Sequence, residues 1–105
     1  MKLDFKPSDR RNPCGTRGQE LVNKALDKWG VEDQLRLTQE ECALLVSAIN
    51  KHLREQGPIL DLAGQVAEAL IMASAVAEVI DKRAPGLVDS LLGQKLQRLQ
   101  NRLED

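Results

Sequence analysis

The chain has 105 residues, 42% of them apolar and 30% charged, with a formal net charge of −1. That is one domain's worth of chain with an ordinary globular composition, which excludes a disordered polymer and leaves no global field to attract nucleic acid or an anionic membrane. One Trp, one Phe and no Tyr leave the core to Leu, Ala, Val and Ile, a mixture that favours helix over strand.

Residues 1–15 read as a flexible basic arm. Pro7, Pro13 and Gly15 break any helix there, and Leu3 and Phe5, two apart, would point the same way in extended chain. Residues 1–18 hold Lys2, Lys6, Arg10, Arg11 and Arg17 against Asp4 and Asp9. The arm lacks the apolar core of a signal peptide.

The remainder, 16–105, reads as a single all-α domain, a bundle of four main helices. The first is expected over 16–29, capped by Thr16 and ended by Gly30 in a left-handed turn. Leu21, Val22, Ala25, Leu26 and Trp29 form its apolar face, with Trp29 filling a gap between helices. The second is expected over 38–56. Thr38 and Glu41 have the spacing of a capping box, Leu37 and Cys42 that of a hydrophobic staple, and Gly57-Pro58 stops the helix. Cys42, Leu45, Val46, Ile49 and Leu53 line one face. The long connection from Trp29 to Thr38 would let the first helix swing across the bundle or onto a second copy.

The third helix, 59–83, is rich in small residues and apolar around most of its girth, so it should be the buried central post. Asp61, Gln65, Glu68 and Glu78 interrupt its apolar run and argue against a membrane span. The turn at Pro85-Gly86 leads to a fourth helix over 87–103. There Leu92, Leu96, Leu99 and Leu103 follow the four-three-four step of a coiled-coil seam, and Val88 and Leu91 extend the stripe.

Catalytic chemistry has little to stand on. The single histidine, His52, has no metal-ligand spacing around it and reads as a boundary residue near a helix C-terminus. Cys14 lies near Arg10, Arg11 and Arg17, but a mobile arm positions a nucleophile poorly. Cys42 reads as a small core residue. Two cysteines make no disulfide framework, which points to a reducing cytoplasm. Residues 14–18 (Cys-Gly-Thr-Arg-Gly) precede a helix as anion-binding loops do, yet lack a Walker lysine and a preceding strand.

These observations point to a non-enzymatic protein–protein interaction module without cofactor or metal: a small adaptor, regulator or inhibitor of another protein, self-associating as a homodimer. Partner-binding residues are expected at Arg10, Arg11, Arg17, Lys95, Arg98 and Arg102, and self-association at Leu92, Leu96, Leu99 and Leu103. One alternative is a nucleic-acid-associated regulator using the same cations, although stacking aromatics and a helix-turn-helix are missing. A second is a small-ligand binder with a pocket at a dimer interface.

Overall fold

The computed structural model describes residues 14–55 and 57–105. Among them are four helices and no strand: α1 (Gly15–Trp29), α2 (Val31–Glu55), α3 (Ile59–Arg83) and α4 (Leu87–Leu103). The fold is all-α, as the composition predicts, and α3 and α4 have the predicted bounds. Residues 1–13, which include most of the expected arm, lie outside the described residues.

The start of α2 differs from expectation by seven residues. A single glycine separates it from α1. Gly30 has φ 88 and ψ 158, a region essentially closed to side chains with a Cβ. This is a sharper break than the left-handed turn expected there. The Gly30 N–H donates to the Leu26 carbonyl at 2.9 Å, and the Gly30 carbonyl accepts from the Gln34 N–H at 3.3 Å. One helix thus ends where the next begins. The stretch expected to be a loop is rich in helix formers, and the Arg36 guanidinium bonds the Glu32 carboxylate one turn earlier at 2.8 Å.

Thr38 is therefore no cap, and the predicted staple of Leu37 and Cys42 has no helix start to close. The Thr38 hydroxyl donates to the Gln34 carbonyl at 2.7 Å, the back-bonding of a threonine inside a helix. Thr16 likewise lies within α1. The residue before that helix is Cys14, whose side chain makes no capping bond.

α2 and α3 form an antiparallel hairpin around Gly57-Pro58, with Pro58 opening α3. Gln65 of α3 ties it across, its Nε2 donating to the Glu41 carbonyl at 3.0 Å and to Glu41 Oε2 at 2.9 Å. α1 crosses the C-terminal half of α3, burying Val22 and Leu26. Polar groups also meet here. Ser74, 1% exposed, donates to the Leu70 carbonyl at 2.8 Å and lies 3.5 Å from Cys14 Sγ. Asn23 Nδ2 reaches Glu78 Oε2 at 3.5 Å.

α3 touches each of the other three helices, which makes it the post of the fold; among the described residues α4 touches α3 alone. Burial on α3 is nevertheless confined to Met72, Ser74, Ala75 and Glu78, against the expectation of a helix buried nearly all round. By length and composition α3 is also long and apolar enough to cross a membrane, and 17% of that stretch is buried. Its interrupting polar residues do not disqualify it on those criteria. Two of them are matched by partners on neighbouring helices, Gln65 by Glu41 and Glu78 by Asn23.

Candidate interaction surface

Two stripes run along α2, one residue apart. Gln34, Thr38, Glu41, Leu45, Ala48 and His52, stepping four-three-four-three-four, are buried or half-buried. Leu35, Cys42, Val46, Ile49 and Leu53 step seven-four-three-four and are all exposed. The inward stripe is the more polar one. Of the apolar face read from the sequence, only Leu45 turns inward, and Cys42 is not a core residue.

α3 repeats the arrangement. Leu62, Gln65, Ala69, Met72, Val76 and Val79 are buried or half-buried, whereas Ile59, Ala63, Val66, Leu70 and Ala73 are exposed. At 3.6 residues per turn each exposed stripe sits roughly a quarter turn from its helix's inward stripe. Because the helices are antiparallel, both quarter turns fall on the same side of the hairpin. The two stripes therefore flank one shallow groove. α1 meets α3 at Ser74 and Glu78, away from it.

The leucines of α4 form a third exposed stripe. Leu92, Leu96, Leu99 and Leu103 are 54, 49, 50 and 77% exposed. The helix has no buried residue, and Val88, in its first turn, is the half-buried one. Lys95, Arg98 and Arg102 are exposed on the same helix, and Arg17 is exposed in the first turn of α1. Arg10 and Arg11 lie outside the described residues. The structure thus places Lys95, Arg98 and Arg102 beside the leucine stripe and Arg17 on a separate helix.

Trp29 is 56% exposed, not a plug between helices. Gly30 ends α1 at that point, and the Lys28 ammonium sits 5.4 Å from the indole centroid, within cation–π range.

A cleft of about 220 Å³ opens beside the hairpin turn, lined by Lys51, His52, Asp61 and Gln65 among others. It is smaller than the roughly 300–1,000 Å³ of small-molecule sites. His52 is half-buried at its edge, and its Nδ1 is buried without a hydrogen-bond partner among the described residues. Among those residues no three His, Cys, Asp or Glu side chains converge on one point.

The inward polar stripe of α2 is what sequence reading missed. The signal was present, since stripes beginning at Gln34 and at Leu35 both have helical spacing, but hydrophobicity alone favours the wrong one. No family model, no curated protein and no solved structure matches this chain.

Proposed function

We propose that this protein is a non-enzymatic interaction module, a small adaptor, regulator or inhibitor that works by docking helices against another protein. One observation carries the reading: the more apolar stripe of α2 faces solvent while the more polar one faces the chain's own interior. A monomer with that distribution leaves its strongest hydrophobic contacts unmade. The exposed apolar stripe of α3 flanks the same groove, and the leucines of α4 add a second, separate apolar surface. Lys95, Arg98 and Arg102 border the α4 stripe and would set orientation and partner choice, as charges at an interface rim do.

Site-specific photocrosslinking in cells, with the reactive group at Ile49 or at Leu99, tests the reading. Protein adducts at both positions are expected, whether to a second copy or to another chain. Absence of protein adducts at both positions would refute it.

The exposed cations of α4 favour nucleic acid as the second reading. It expects binding that weakens steeply as salt rises, and further weakening in an Arg17→Ala, Lys95→Ala, Arg98→Ala variant. Adducts with RNA or DNA in the crosslinking experiment would shift the assignment to it.

A further inference from the structure

The groove between the exposed stripes of α2 and α3 and the leucine stripe of α4 match each other, yet they do not meet within one chain. From Leu92 to Leu103 is about 16 Å of helix, and so is Cys42 to Leu53. Both step four-three-four. A helix laid along two antiparallel helices sets its stripe into the groove between theirs. α4 cannot reach its own groove in this conformation. The turn 84–86 is three residues long, Gly86 is left-handed, and its N–H donates to Asp81 Oδ1 at 3.0 Å, so α4 leaves the hairpin and, among the described residues, touches only α3.

Two further arguments identify what covers these surfaces. A lone 17-residue helix is only marginally stable in water. α4 has that length and leans on α3 chiefly at its first turn, so its leucines need a partner for it to persist. The second argument is area. The chain exposes 8527 Å², against about 5,900 Å² for a typical folded monomer of 11.7 kDa. Even with residues 1–13 granted the full area of an unfolded chain, about 2,300 Å², the remainder exceeds its own scaling value by about 900 Å². A stable interface takes about 800 Å² from each partner.

We infer that the partner is a second copy of this chain. The α4 leucine stripe of each copy lies in the α2–α3 groove of the other, around Val46, Ile49, Val66 and Leu70. The exchange is reciprocal and closes as a two-fold dimer. It rests on the interaction-module reading and specifies one arrangement within it.

Light scattering behind a sizing column, on the full chain, tests the exchange. The parent is expected at twice the 11.7 kDa chain mass. A Leu96→Glu, Leu99→Glu variant has a spoiled α4 and an intact groove; a Val46→Glu, Ile49→Glu variant has the reverse. All four residues are exposed within the chain, so each variant should keep its helicity by circular dichroism and run as a monomer. Mixing the two restores one of the two α4–groove joints, and a heterodimer should appear, at least tenfold weaker than the parent dimer. If the first groove pair loses helicity, Val66→Gln with Leu70→Gln replaces it.

A groove variant that stays dimeric means that α4 pairs with α4 and overturns the exchange. An α4 variant that stays dimeric means that groove meets groove, which overturns it equally. So does a failure of the two monomeric variants to combine. A monomeric parent at millimolar concentration overturns the exchange but leaves the interaction-module reading standing if photocrosslinking still yields protein adducts. Flotation of the parent with phosphatidylcholine vesicles overturns it too, assigning the apolar surface to a membrane instead.

Discussion

Gly18 occupies the first full turn of α1, and a Cβ built there would overlap the Cβ of Cys14. Cys14 in turn lies against Ser74, one of the least exposed side chains of the chain, so it has little room to retreat. Gly18→Ala is expected to lower stability by about 1–3 kcal/mol, outweighing the gain of up to about 1 kcal/mol in helix propensity. A lowered denaturant midpoint would report it. Thr38 carries the opposite sign. As a cap it would lose about 1 kcal/mol on truncation to alanine. As a back-bonded threonine within α2 it should lose nothing, or gain a few tenths of a kcal/mol, because alanine is the better helix former. Unfolding of Thr38→Ala in urea separates the two. The Thr-x-x-Glu pattern misleads because those residue types are as compatible with a helix interior as with its start. Only the backbone of 31–37 decides, and nothing in those seven residues breaks a helix.

At the scale of elements, α3 and α4 were legible end to end because proline and glycine mark their boundaries. Pro58 opens α3, and Pro85-Gly86 separates it from α4. The leucine step of α4 was legible too, but not what it faces. Spacing identifies a stripe; it carries no information on whether the covering surface belongs to the same chain. The α2 stripes show this most clearly, since the inward one includes Gln34, Glu41 and His52. Glu41 is tolerated there because Gln65, which comes from elsewhere in the sequence, bonds it. The weak attachment of α4 has a measurable consequence. Amides of α4 should exchange with solvent faster than those around Met72 to Glu78 of α3, and their protection should rise with protein concentration. Protection of α4 that is independent of concentration would mean that the helix is held within its own chain.

As a whole, the molecule is a slab with extents of 46 × 43 × 20 Å. Its thickness is about two helix diameters, so there is no room for a helix surrounded on all sides. That explains why α3 fails to become the buried post its composition suggests: three neighbours, one of them touching it chiefly near a terminus, cannot cover a 25-residue helix. If the missing cover comes from association, stability is linked to concentration. The midpoint of thermal unfolding should then climb as protein concentration is raised tenfold and tenfold again in scanning calorimetry. A midpoint that stays fixed would mean that the slab is stable alone.

The turn 84–86 separates α3 from α4 by three residues. A short tether excludes an intramolecular solution as effectively as a clash does, because the local concentration of α4 at its own groove is then near zero. A flexible insert of about ten Gly/Ser residues after Arg83 would span roughly 17 Å. It would raise that local concentration to the millimolar range, and α4 could fold back onto its own groove. Protomers that exchange α4 would then become self-contained monomers with every contact residue unchanged. Assembly in this protein would thus be governed by loop length, and a few inserted codons would switch it off without altering a single side chain in the groove.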